Sequence, residues 1–204
     1  MKYLILLVVL AATGTNALAI EEPKYRVIEK DGAIEIRDYE PYIVAETAVE
    51  GKEFDEASNE GFRRLAGYIF GGNQARRSIE MTAPVTTERS VRIAMTAPVE
   101  MQGSTGSYVI TFMMPSEYTL ETLPVPNDSR VTLRLVPGRK MAAIRFSGFW
   151  TEESFRERTE ELLGWLKKRG IAAAGDPVLA RYNSPWSLWF LRRNEVLVPI
   201  QSPF

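Results

Sequence analysis

The 204-residue chain has no cysteine and no histidine. Without histidine there is no Ser-His-Asp triad, no imidazole general base and no His-ligated zinc. Without cysteine there is no thiol nucleophile, thiolate metal site, iron–sulfur cluster or disulfide. A metal held here would need oxygen or thioether ligands, with the seven methionines and eight tyrosines as candidates. A large excess of one charge is missing too. The 25 basic and 26 acidic side chains give −1, where nucleic-acid binders carry a basic surplus. Phosphate-cradling glycine motifs are also lacking, because Gly71-Gly72 reads as a helix stop and Gly103-Ser104-Thr105-Gly106 as a hairpin turn.

The apolar run Leu4 to Ala12 is about half the roughly 20 residues that a membrane span needs. It follows the basic start Lys2 and precedes Ala17-Leu18-Ala19, a small-x-small cleavage pattern. Residues 1–19 are therefore expected to be a signal peptide, cleaved near Ala19, and residues 20–204 one exported domain, periplasmic or secreted. No cysteine follows the run, which excludes a lipoprotein anchor, and a chain without thiols cannot mispair in an oxidising compartment. A monomer is expected, with no nucleic-acid partner.

Self-comparison at an offset of 97 aligns two units without a gap. Ile34, Ile36, Arg37 and Tyr39 meet Val131, Leu133, Arg134 and Val136, and Leu65, Gly67, Tyr68 and Ile69 meet Leu162, Gly164, Trp165 and Leu166. Each unit reads as strand, strand, helix. In the first, strands Ile34–Tyr39 and Tyr42–Val49 precede a helix over Phe54–Phe70, whose residues Phe54, Ala57, Gly61, Leu65, Tyr68 and Ile69 share a face. In the second, strands Val131–Val136 and Met141–Phe146 precede a helix capped by Thr151, with an apolar stripe of Phe155, Leu162, Leu163 and Leu166, ended by Gly170. Further extended segments are expected at Ile79–Val85, Arg92–Val99, Ser107–Met113, Pro177–Tyr182 and Glu195–Ile200. Many strands with two helices indicate an α+β fold with a largely antiparallel sheet.

Three segments could carry chemistry. Ile79-Glu80-Met81-Thr82-Ala83-Pro84-Val85 recurs 14 residues later as Ile93-Ala94-Met95-Thr96-Ala97-Pro98-Val99. As strands these would put Met81 and Met95 on inner faces, either as core or as an adaptable thioether pocket floor. Tyr182 to Glu195 concentrates Tyr182, Trp186, Trp189 and Phe190 beside Arg192-Arg193, a core strand with a solvated end or an aromatic wall with guanidiniums at its mouth. Arg63-Arg64 and Arg76-Arg77 are solvated charges or a clamp for an anionic group.

In order along the chain, several motifs resemble the SOUL haem-binding protein family. They are Gly61 to Asn73, the Met-Thr-Ala-Pro-Val core at 81–85, Phe112-Met113-Met114-Pro115, Leu123-Pro124-Val125-Pro126, Arg145-Phe146-Ser147-Gly148 and Tyr182 to Val196. The resemblance implies a distorted antiparallel β-barrel of about eight strands with two flanking helices, built from a pseudo-duplicated unit. It also implies a haem or other porphyrin as bound ligand in a shallow apolar site between the first helix and the loop before the last strand. Carried onto this chain, the site maps to Leu65, Tyr68 and Ile69 on the helix and Tyr182 to Trp189 on the loop, Trp186 included. The reading of the residues themselves adds Arg63, Arg64, Arg192, Met81 and Met95 as candidates. Some relatives ligate iron through histidine, and this chain departs from them. Binding here would rest on apolar contact, arginine–propionate pairing or a Tyr or Met ligand. The expected role is carrier, scavenger or buffer. The alternatives are a tetrapyrrole-modifying enzyme such as a haem dechelatase, and a module for other amphipathic small molecules.

Overall fold

Buried residues on both faces of Ile34–Tyr39, and unbroken burial over Met141–Ile144, are the marks of sheet strands covered on two sides. The computed structural model describes residues 20–75, 90–104, 106–183 and 186–201. In chain order the elements are β1 (Tyr25–Asp31), β2 (Ile34–Tyr39), β3 (Tyr42–Glu50), α1 (Phe54–Ile69), β4 (Asn73–Gln74), β5 (Val99–Ser104), β6 (Ser107–Met113) and β7 (Val125–Pro126). There follow β8 (Thr132–Val136), β9 (Arg139–Phe146), α2 (Glu152–Lys168), β10 (Val178–Arg181), a single 3-10 turn at Trp189–Leu191, and β11 (Asn194–Pro199). Nine strands form one antiparallel sheet in the order β1-β2-β9-β11-β10-β5-β6-β3-β8, curled into a half-barrel, while β4 and β7 pair apart from it.

The offset-97 repeat reappears as a pseudo-twofold axis in this sheet. Outward from its centre, β10, β11, β9 and β2 on one side answer β5, β6, β3 and β8 on the other. Register obeys the same symmetry. Glu35 pairs with Ala143, and the positions 97 later and 97 earlier, Thr132 and Glu46, pair in the other half. At the centre, Glu100 pairs with Ala180 and Gln102 with Val178. Helix α1 packs on β3 and β6, and α2 on the equivalent β9 and β11. The strands within one unit do not pair with each other, since β2 lies beside β9 and β3 beside β8. Each unit thus completes the other.

The buried residues of α1 are Phe54, Ala57, Gly61, Leu65, Tyr68 and Ile69, the face read from the sequence period. Gly61 is required by proximity. A Cβ placed there would lie 2.6 Å from two side-chain atoms of Ile110 and 2.7 Å from its Cβ. Gly61→Ala is therefore expected to cost about 1–3 kcal/mol in urea unfolding, the usual price of overpacking a core. In α2, Thr151 caps the helix as expected, accepting from the Ser154 N–H, and Lys167 and Lys168 occupy its last turn. The α2 stripe is narrower than expected: Leu162 and Leu166 are buried, Phe155 is half-buried and Leu163 is exposed.

One expected segment is not described, and another differs from expectation. The expected extended segment Ile79–Val85 lies outside the described residues, as do residues 1–19. The strand expected over Arg92–Val99 does not form before Val99. Its donors are used elsewhere: Ile93 N–H bonds to the Ile69 carbonyl, Ala97 N–H to the Glu21 carbonyl, and the Thr96 hydroxyl to the Met113 carbonyl. Asn73 grips Val91 through both its amide nitrogen and its amide oxygen. Without strand alternation Met95 parts from Ile93 and Ala97, which are buried, and stands 44% exposed. Among the described residues no helix is long and apolar enough to cross a membrane.

Candidate functional site

The connection between β10 and β11 is built to present aromatic side chains. Leu191 N–H bonds to the Leu188 carbonyl, closing the 3-10 turn, and Arg192 Nε donates to the Ser187 carbonyl at 2.9 Å. Gly148 N–H reaches the Trp189 carbonyl at 3.1 Å, which ties this loop to the one entering α2. As a result the Phe149 and Trp189 rings stack, with centroids 5.6 Å apart and planes 11° from parallel, and Phe190 meets Trp189 edge-on. Phe149, Leu188, Trp189, Phe190 and Leu191 are each more than half exposed, and Trp186 is 94% exposed. Six large apolar side chains on two joined loops form the kind of exposed patch that marks a binding surface.

A guanidinium that sequence reading did not single out lies behind this platform. Arg181, the last residue of β10, places its Cζ 4.2 Å over the ring of Trp150, the neighbour of Phe149. Burial and the nearby charge of Arg192 hold its pKa below the ordinary guanidinium value, against the opposing pull of Asp55. Its signal in the sequence was only an arginine ending an apolar strand.

The remaining expected site residues divide into groups. Leu65, Tyr68 and Ile69 are closed into the core, and the Tyr68 hydroxyl donates to the Pro124 carbonyl at 2.9 Å. Leu65 and Ile69 shape α1 from within, while Tyr68, itself nearly buried, reaches the edge of the groove that Arg63 and Arg64 border. Arg63 and Arg64 both bond to Glu60, and Arg64 also reaches Thr47 and the Ala48 carbonyl. With Arg130 and Asp128 they border an open groove of about 350 Å³. That groove shares no lining residue with the platform. Asp55, the α1 residue that acts on Arg181, is eight positions from Arg63, about 12 Å along a helix. Met81 lies outside the described residues. Tyr182, Trp186, Trp189 and Arg192 share the β10–β11 loop, but the Tyr182 hydroxyl donates to Glu195 at 2.9 Å and points into the sheet.

The helix-free face of the sheet carries a buried ionic network. Arg37, 3% exposed, donates to Glu195 at 2.6 and 3.1 Å, and Glu195, 0% exposed, also accepts from Arg193 Nε at 2.9 Å. Burial alone would raise the Glu195 carboxyl, but bonds from Arg37 and the charges of Arg37 and Arg193 outweigh it and hold it below the usual range. Glu100, on β5, differs. Its one hydrogen bond among the described residues is a long 3.4 Å contact from Thr111, in a cavity of about 40 Å³ that also meets Arg134 and Arg139. Burial pushes its carboxyl up despite these arginines. A carboxyl raised in the folded state stabilises fully below its unfolded value near 4.3 and loses that contribution as pH rises. Glu100→Gln should therefore raise the melting midpoint at pH 7 by about 3 °C and leave it unchanged near pH 4. A melt series over that range measures the difference.

Among the described residues no three acidic side chains converge to hold a metal ion. The fold class is shared with solved structures. The EcmrR C-terminal domain superposes with a TM-score of 0.60 at 9% identity, over 87% of this chain and 98% of that one. A structure described as a hydrolase from Listeria innocua gives 0.53 at 12% identity, over 85% and 94%. At such identities the likeness is one of fold alone. The family follows from the sequence match: residues 20–199 fit the SOUL heme-binding protein family, and the chain belongs to it. Relatives include heme-binding protein 2 of Mus musculus, 29% identical over 90% of this chain and 92% of that protein. Heme-binding protein 1 of Xenopus tropicalis is 28% identical over 81% and 87%.

Proposed function

We propose that the chain is an exported tetrapyrrole-binding protein that stacks haem or a related porphyrin on the Phe149–Trp189 platform. The stacked pair carries this reading: two parallel aromatic rings, each more than half open to solvent, suit a flat, apolar ligand that extends the stack. Family membership supports the ligand class. Covering about 200 Å² on each partner at about 25 cal/mol per Å² offers about 10 kcal/mol. One charge-assisted hydrogen bond adds about 2–3 kcal/mol and association removes about 5, leaving a micromolar Kd. With no histidine or cysteine in the chain, and the Tyr182 hydroxyl engaged by Glu195, contact rather than axial ligation holds the ligand. Residues 1–19 act as the signal, and the mature monomer serves as a carrier, scavenger or buffer outside the cytoplasm.

Titration with haem tests the binding reading. A Soret shift with tryptophan quenching, saturating at micromolar haem, is the expected result. No change in either signal at tens of micromolar rejects it. Sequencing the amino terminus of the exported protein tests the signal, with Ile20 as the expected first residue.

A further inference from the structure

Arg181 is held in an unusual setting. Three buried or half-buried arginines, Arg37, Arg64 and Arg193, each bond to a carboxylate: Glu195, Glu60, and Glu22 with Glu195. Arg181 is half-buried as well, yet among the described residues its guanidinium makes no hydrogen bond and no ion pair. One face rests on the Trp150 ring, which fixes the plane of the fork, and Trp150 is in turn 6.3 Å from the Phe54 ring at the start of α1. A buried polar group without a partner is costly, and a guanidinium carries five donors. The fork lies close to the platform loop: the charge of Arg192 acts on it, and its neighbour Trp150 is adjacent in the chain to Phe149, whose ring stacks on Trp189. Arg192, anchored on the Ser187 carbonyl of the same loop, adds a second positive charge.

We propose that Arg181 is the carboxylate anchor of this platform, so that the site selects flat aromatic ligands bearing free acid side chains over their esters. The inference rests on the tetrapyrrole reading and adds to it the group that is recognised. A ligand stacked on Phe149 and Trp189 can turn one acid side chain past Trp150 to meet the fork in the two-point geometry that guanidinium and carboxylate favour. The anchor supplies orientation, and the rings supply the contact area.

The experiment compares protoporphyrin IX with its dimethyl ester, each dispersed in the same dilute detergent, by tryptophan quenching of the full chain. The unaltered protein should bind the diacid about tenfold more tightly than the diester. In Arg181→Gln the preference should fall to within about twofold while the diester affinity stays the same. A general loss of structure would instead weaken both ligands together. Arg181→Met, which keeps the aliphatic stem on Trp150, gives the same comparison if the glutamine variant does not fold. Persistence of the preference in the variant that folds, or its absence from the unaltered protein while both ligands bind, overturns the anchor and leaves the platform standing. If neither porphyrin binds, the platform reading falls and the anchor with it.

Discussion

Replacing Glu195 with alanine is expected to destabilise the protein by about 3–5 kcal/mol, lowering the thermal midpoint by about 10 °C or more. The side chain is wholly buried and accepts from both terminal nitrogens of Arg37, from Arg193 Nε and from the Tyr182 hydroxyl. Its removal leaves the Arg37 charge inside the sheet, supported by Glu35, the Tyr39 hydroxyl and the face of the Tyr25 ring. That uncompensated charge, more than any lost contact, sets the size of the effect. The double variant Arg37→Met with Glu195→Leu should recover much of the loss, because an apolar pair of similar volume avoids desolvating two ions. The pH dependence follows from the depressed Glu195 carboxyl. A carboxylate held below its unfolded value stabilises fully above that value, near 4.3, and loses its contribution as pH falls through the folded one. The gap between the unaltered protein and Glu195→Ala should accordingly be full at pH 7 and narrow below pH 4. Paired melts from pH 3 to pH 8 measure it, and an alanine variant as stable as the parent at pH 7 contradicts a structural role for the network.

What the sequence disclosed and what it hid follow from the range of the forces involved. Helix faces are local, and the 3.6-residue period placed all six buried residues of α1. The duplicated unit was readable as an offset, but not the fact that β2 pairs with β9 and β3 with β8. That pairing joins residues about a hundred positions apart, such as Glu35 and Ala143. Strand β1 escaped notice because Tyr25–Asp31 alternates no apolar face inward, and its Val27 and Ile28 are exposed at the sheet edge. The Arg92–Val99 segment looked like a strand because its composition suits one. Tertiary acceptors at Ile69, Glu21 and Met113 claimed its donors instead. At the site, the aromatic run 186–190 was visible as composition. The stack of Trp189 on Phe149 and the placing of Arg181 over Trp150 needed two loops to meet. Apolar positions on α1 look alike whether they face a ligand or a core, and Leu65, Tyr68 and Ile69 face the core.

Truncating both platform rings, in Phe149→Ala with Trp189→Ala, is expected to weaken porphyrin binding by about 100-fold while changing stability by less than about 1 kcal/mol. Stacking of a flat ring on an aromatic side chain contributes about 1–3 kcal/mol by alanine substitution, so two rings in one stack account for the larger figure. The small stability change follows from exposure: both rings are more than half open to solvent, and such substitutions rarely exceed a few tenths each. Tyr68→Phe is the opposite case. It removes the hydroxyl that donates to the buried Pro124 carbonyl, so it should cost about 1–2 kcal/mol of stability and leave porphyrin affinity unchanged. The two substitutions therefore separate a surface platform from a pocket walled by the inner face of α1. If Tyr68→Phe weakens binding and the double alanine variant does not, the ligand sits against the helix and the aromatic loop has another use. If the double variant loses porphyrin while its melt is unaltered, binding energy and folding energy reside in different parts of this molecule. Such a division suits a carrier, since the rings that hold the ligand can then release it without disturbing the sheet beneath.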